Sequence, residues 1–475
     1  MKKLLVLLLF SSLLTNCKQD FNYNTSEAFL GGEIINPNTG YVVLSKGEQI
    51  IDTMLLDQNN RFLYAMNDLK PGLYTFTHSP ENQIVLLESG DSLHFRLNTK
   101  EFDESLVFTG KGAKKNNYLI NLFLENEKER EHMLEYSQLP PESFSQKIDS
   151  ITEAKHERLK KFERKNSTSE CFNEIADANI HYYNYARKEL YPFAYYGNNE
   201  LINLKSLPKD FYEYRKDIDY NNDNLRSYYP YYRFLEYHFN NLALTRHFEH
   251  SSDSIFKRNS LDYNLDRLQI IDSLVTHDSI KNSHMRHTAW FFVHSNNNAG
   301  EITQFVEDYL KRSTNESHKK DIVDLSQAFM KLSPGTKIPE ITLINHNDEE
   351  VSLPSIIKKP TVIYFWAYSM RGHFKDAHKR VHKLKTNYPE LEFVAINARK
   401  TSPKNWREVL KKHRFPMENE YRFADPYSAR RQLVLSRLNK VMLIDGSGHI
   451  VNAHANMSDT NFEEQLLGLL NQEVQ

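Results

Sequence analysis

The sulfur chemistry open to this chain is limited by two cysteines, Cys17 and Cys171, far apart in 475 residues. One pair of sulfurs cannot crosslink so long a chain into a disulfide framework. Other soft donors occur at helical spacing. Met370 and His373 stand one turn apart at the start of a predicted helix, and thioether with imidazole is a ligand pair suited to Cu(I). His378 and His382 follow at i,i+4. Against a metal site, Lys375, Lys379, Arg380, Lys383 and Lys385 surround those histidines, as on a solvated basic helix. No metal site and no cofactor are therefore expected, and the absence of a His-Glu-x-x-His motif gives metal-dependent hydrolysis no support. The third set is aromatic: Tyr182-Tyr183-Asn184-Tyr185, Tyr195-Tyr196 and Tyr228-Tyr229-Pro230-Tyr231-Tyr232. Such rings can stack on a sugar or peptide, but packing between helices is the expected use.

The elements that must carry these residues change character along the chain. From 24 to 112, turn signals at Asn36-Pro37-Asn38-Thr39-Gly40, Lys70-Pro71-Gly72 and Ser89-Gly90-Asp91 separate short apolar runs, the spacing of a small β-sandwich. From 113 to 332 glycine nearly disappears and apolar residues recur every three or four positions, as at Leu261, Leu265, Leu268, Ile271 and Val275. This predicts a helical middle segment. From 333 to 475, Thr361-Val362-Ile363-Tyr364-Phe365-Trp366 reads as a strand buried on both faces. A helix over 373–385, a second buried strand at Leu391–Ile396 and a hairpin around Gly446-Ser447-Gly448 follow. The expected fold is multidomain, with a β-sandwich, an α-helical segment and a C-terminal α/β layer.

Gly335, Pro339, the Phe365-Trp366-Ala367 strand ending, Trp406 and Leu443-Ile444-Asp445 resemble the TlpA-like branch of thioredoxin-fold thiol-disulfide oxidoreductases. The resemblance implies a thioredoxin-like fold over about 333 to 470. In that family Cys-x-x-Cys begins three residues after Phe-Trp-Ala, and those cysteine positions hold Met370 and His373 here. The family's cis-proline falls on Asn439 and its helix proline on His378, while the acidic residue of that helix is kept as Asp376. Neither sulfur needed for dithiol exchange is present, so no catalytic residue is expected. Trp366, Tyr368 and Arg371, around the replaced motif, are candidate binding residues. The sandwich turns resemble those of a domain that precedes thioredoxin-like domains in anchored bacterial lipoproteins.

Met1-Lys2-Lys3 and the apolar stretch Leu4–Leu14 read as an export signal, too short to span a bilayer. Leu14-Thr15-Asn16-Cys17 resembles a bacterial lipoprotein cleavage box. Residues 1–16 would be the signal peptide, Cys17 the lipid attachment point, and the outer membrane of a Gram-negative envelope the destination, with the lipid as membrane partner. Sixty Lys and Arg against sixty-two Asp and Glu speak against nucleic-acid binding. The part from 333 onward is a basic module, with 21 Lys and Arg against 16 Asp and Glu, and Arg371, Lys411, Lys412, Arg414, Arg430 and Arg431 are candidates for one basic surface. Together these readings point to an envelope lipoprotein with a redox-inactive thioredoxin-like domain, a pseudoenzyme that binds or scaffolds a protein, peptide or glycan partner. A TlpA-like thiol-disulfide oxidoreductase is the alternative, followed by Cu(I) or glycan binding.

Overall fold

Period-two alternation, clearest in Ser-Leu-His-Phe-Arg-Leu-Asn at 92–98, produces strands with one apolar face, and such faces need a second layer. The computed structural model describes residues 27–195, 207–251, 256–296 and 298–471. The leader, Cys17 and Tyr196 lie outside them. Eight strands come first: β1 (Ala28–Ile35), β2 (Tyr41–Lys46), β3 (Gln49–Leu55), β4 (Arg61–Met66), β5 (Gly72–His78), β6 (Glu81–Leu87), β7 (Ser92–Asn98) and β8 (Val107–Lys111). They form two four-stranded sheets, ordered β4-β1-β7-β8 and β3-β2-β5-β6. The buried faces meet in one core that includes Phe76, Phe95 and Phe108.

Gly112 precedes α1 (Ala113–Glu131) with φ of 92°, and a Cβ there would come within 2.5 Å of Asp91 Oδ1. Two asparagines then tie the helix to the strands. Asn116 accepts from Leu86 N at 2.8 Å and donates to Leu86 O at 2.9 Å. Asn117 does the same for Phe108, at 2.9 Å each way. Their side-chain amides stand in for a neighbouring strand.

The helical stretch continues through α2 (Met133–Tyr136), α3 (Pro141–Lys165), α4 (Glu170–Tyr195), α5 (Tyr229–His250), α6 (Leu261–Leu274), α7 (Asp278–Ser295), α8 (Ala299–Arg312) and α9 (Glu316–Met330). No helix among the described residues is long and apolar enough to cross a membrane. The helices do not form one body. The chain divides into two compact units at residue 241, within α5. The first unit holds the sandwich and α1–α4; the second holds α6–α9 and everything after them.

The tyrosine clusters of the first unit are largely internal. Tyr228 and Tyr231 are buried, Tyr231 donates to Asp219 O at 2.7 Å, and the rings of Tyr182 and Tyr231 meet edge to face at 5.0 Å. Tyr185 stacks on Tyr214 at 4.0 Å. Rings committed to one another in a core are not a platform for sugar; Tyr229 is the exposed member of its run.

In the second unit β9 (Thr342–Ile344), β10 (Glu350–Ser352), β11 (Thr361–Trp366), β12 (Glu392–Asn397), β13 (Glu420–Phe423), β14 (Lys440–Ile444) and β15 (Ile450–Asn456) form one sheet ordered β10-β9-β13-β12-β11-β14-β15. β11, β12 and β13 are parallel, and β14 runs antiparallel to β11. All six residues of β11 are buried, as its unbroken apolar run predicts. Val362, Tyr364 and Trp366 share a core with Phe374, Val381 and Leu384 of α10 (Arg371–Asn387) and with Phe462, Leu466 and Leu469 of α13 (Phe462–Asn471). Between them the chain forms α11 (Pro403–His413) and α12 (Pro426–Gln432).

Candidate functional site

β11 delivers the chain to the carboxyl edge of the sheet, where α10 begins and Met370 is its N-cap. Met370 is 48% exposed, and Arg371 and Gly372 are exposed beside it. His373 is partly buried; burial and neighbouring His378 hold its imidazole below the ordinary value, and its Nδ1 makes no hydrogen bond. A neutral ring suits this place, because a helix N-terminus disfavours imidazolium. Asp376 is exposed one turn further on. Asn439 is exposed immediately before β14 and carries a backbone N–H that a proline there would lack. Lys440, the next residue, donates to Leu433 O at 2.6 Å, and burial lowers its pKa to about 7.

Among the described residues the only cysteine is Cys171, which belongs to the first unit. Burial, reinforced by Glu88 and Glu174, pushes its thiol up to about 11. A thiol so raised is almost wholly protonated at neutral pH and a poor nucleophile.

The side chains behind the loop are fixed. His378 is buried and accounts for both ring nitrogens: Nδ1 lies 2.7 Å from Phe374 O and Nε2 lies 2.8 Å from Glu420 Oε1. Glu420 Oε2 accepts from Trp366 Nε1 at 3.0 Å. A carbonyl oxygen only accepts, so His378 Nδ1 carries a hydrogen, and a further proton must lie between Nε2 and Oε1. Burial holds the Glu420 carboxyl above its ordinary range, against the lowering effect of His378 and Trp366. Two expectations change. Trp366, expected to face a ligand, is fully buried with its N–H committed to Glu420. His378 has no lone pair to share with a metal alongside His382, which is exposed. Of the expected binding residues, Tyr368 and Arg371 remain accessible, the guanidinium 5.4 Å from the centre of the tyrosine ring.

Of the residues expected on one basic surface, Arg371, Lys411, Lys412 and Arg414 do not line the groove that Arg430 and Arg431 line. Desolvation, then Lys375, Lys412, His378 and Arg371, lowers the pKa of the His413 imidazole. The groove of Arg430 and Arg431 has a volume of about 1470 Å³. Its floor is built by the chain leaving β12 (Ala398, Arg399, Lys400) and β13 (Asp425, Tyr427), and its far wall by Trp290 and His294 of α7 with Asp321 and Asp324 of α9. Grooves at the carboxyl ends of parallel strands are the usual ligand position in open α/β sheets. Some cations here are already paired: Arg286 with Asp321 at 2.8 Å and Arg431 with Asp324 at 3.7 Å. Arg399 and Lys400 have no ion-pair partner among the described residues and are exposed. Arg430 is held to Leu435 O, at 3.3 and 3.4 Å, and its pKa is lowered by burial and by Arg399. Arg399, Lys400 and Arg430 thus line this groove without an ion-pair partner among the described residues, beside the half-open Trp290 ring and the exposed Tyr427 ring.

Residues 358–450 match the family model described as Thioredoxin-like. The C-terminal part of the chain is a thioredoxin-like domain. Among solved structures, a crystal structure described as a thiol-disulfide oxidoreductase from Bacteroides vulgatus is 20% identical over 29% of this chain and 98% of its own, with a TM-score of 0.27. One described as a thiol:disulfide interchange protein DsbE from Chlorobium tepidum is 20% identical over 29% of this chain and 99% of its own, with a TM-score of 0.26. No curated protein matches the chain.

Sequence reasoning reached the loop at 370–373 and two of the groove's arginines, but missed Arg399, Lys400 and Trp290. Arg399-Lys400 directly after a buried parallel strand was the available signal; Trp290, more than a hundred residues upstream, gave none.

Proposed function

We propose that the thioredoxin-like domain is a redox-inactive binding module that takes an anionic ligand with a flat apolar group at the carboxyl edge of its sheet. The observation that carries this reading is the pair Met370 and His373 where the family motif needs two sulfurs, with the one described cysteine raised and in the other unit. A thioether forms no thiolate and an imidazole resolves no mixed disulfide. Export and anchoring through Cys17 belong to the same proposal, on the resemblance of the leader.

Insulin reduction in the presence of dithiothreitol should proceed at the background rate with the purified chain. Turnover above background that survives Cys171→Ser would sink the redox-inactive reading. The double change Met370→Cys with His373→Cys, restoring sulfur at the helix N-terminus, is expected to raise the rate above background.

Ligand capture is tested with naphthyl phosphate, a flat aromatic anion, by calorimetry. Arg399→Glu with Lys400→Glu reverses two unpaired charges and should weaken binding roughly tenfold or more. Lys375→Glu, outside the groove lining, should leave it unchanged. Equal affinity in wild type and in the groove variant, or no binding by wild type, would overturn the assignment.

A further inference from the structure

In the first unit α3 and α4 bring together three side chains that no sequence motif joins: His156 on α3, and Asp177 and His181 one turn apart on α4. Nε2 of His156 lies 2.9 Å from Asp177 Oδ1, and Nε2 of His181 lies 3.5 Å from Asp177 Oδ2. The imidazole centroids are 4.5 Å apart, and one ligand atom from each residue falls within 4.8 Å of the others. Zinc bonds of about 2.0–2.1 Å in tetrahedral geometry put neighbouring ligand atoms roughly 3.3 Å apart, so this spacing needs little adjustment.

Hydrogen placement strengthens the case. Nδ1 of His156 lies 3.1 Å from Thr152 O, an acceptor only, so Nδ1 bears a hydrogen and Nε2 is the ring atom that faces the Asp177 carboxylate. Two acceptors 2.9 Å apart repel unless a cation, proton or metal, lies between them. A backbone carbonyl fixing the far nitrogen is also the usual way a ligating histidine is oriented. Nδ1 of His181 makes no hydrogen bond, and its Nε2 faces the second oxygen of the same carboxylate. All three side chains reach solvent, with Asp177 52% exposed, so an ion has a way in and a fourth position for water.

We infer that His156, Asp177 and His181 form a binding site for a zinc-class divalent cation, with two imidazole nitrogens and one carboxylate oxygen as ligands. This site is independent of the thioredoxin-like domain. The donor set is of borderline softness and favours Zn2+ over Mg2+ or Ca2+.

Calorimetric titration of the untagged full chain with ZnCl2, and with CoCl2 followed by visible absorption, tests it. Wild type should bind one equivalent tightly and give the intense bands of four-coordinate cobalt. His156→Ala and His181→Gln should each weaken that equivalent at least tenfold, and Asp177→Asn should do the same with circular dichroism unchanged. His250→Ala, in the second His-His-Asp cluster with His247 and Asp266, should leave it intact. Absence of a tight equivalent in wild type, or an equivalent that survives His156→Ala with His181→Gln, would overturn the site.

Discussion

Glu189→Gln should lower the stability of the first unit by about 3–5 kcal/mol, the cost of stripping one partner from a buried ionic network. Glu189 is wholly buried in the last third of α4. Its Oε1 accepts from Arg215 Nε at 2.9 Å, from Tyr214 O–H at 2.9 Å and from His238 Nδ1 at 2.7 Å, while Arg215 Nη2 closes the pair on Oε2. Asn241 donates to its backbone carbonyl at 3.0 Å, and His238 Nε2 meets Tyr220 O–H at 2.9 Å. The tyrosine-rich helices are thus pinned by one carboxylate. Glutamine keeps the volume but leaves the Arg215 guanidinium without its counter-charge and offers it one acceptor oxygen in place of two.

The same residue sets an acid limit. Burial alone would raise the Glu189 pKa, but His238 and Arg215 outweigh it and hold the carboxyl below the ordinary 4.5. A carboxylate depressed in the folded state contributes its full stabilisation above the unfolded value and loses it as pH falls through the folded one. Urea midpoints followed by far-ultraviolet circular dichroism should therefore drop below about pH 4.5 in wild type and drop less in Glu189→Gln. A variant with the wild-type midpoint at pH 7 and the wild-type acid slope would show that the network is dispensable.

Glu420→Leu is expected to cost the second unit a similar amount, about 3–5 kcal/mol, because His378 Nε2 and Trp366 Nε1 lose their shared acceptor in a dry core. The three tryptophans of the chain, Trp290, Trp366 and Trp406, all lie in this unit, so intrinsic fluorescence in urea reads it selectively. The diagnostic measurement is a double-mutant cycle with His378→Leu. Once Glu420 is gone, removing the histidine should cost far less than it does alone, giving a coupling of about 1–3 kcal/mol. Strictly additive losses would mean that the two side chains are not working as a pair.

How far these features can be read from sequence depends on the range of the interaction. The unbroken apolar run of β11 and the glycine-poor helical stretch are local patterns, and both appear where their periodicity places them. The division of that stretch at residue 241 is not local: α5 reads as one helix, although its two ends pack into different units. Trp366 shows a subtler failure. Its identity marks the strand ending, but whether its ring faces solvent or core depends on Glu420, 54 residues later. Glu189 and Arg215, or His156 and Asp177, meet across helices whose relative placement no single-helix pattern encodes. Loop 370–373 was legible because it is set by distance along the chain from a recognisable strand.

The proton between His378 and Glu420 is buried with both side chains beneath α10, which packs on β11 and β12. Its exchange with deuterium requires the helix to lift, so the imidazole N–H resonances of His378 keep time for the opening of the sheet's most buried layer. The helix that begins at Met370 thus carries at His378 a buried hydrogen whose exchange would report how often that layer opens.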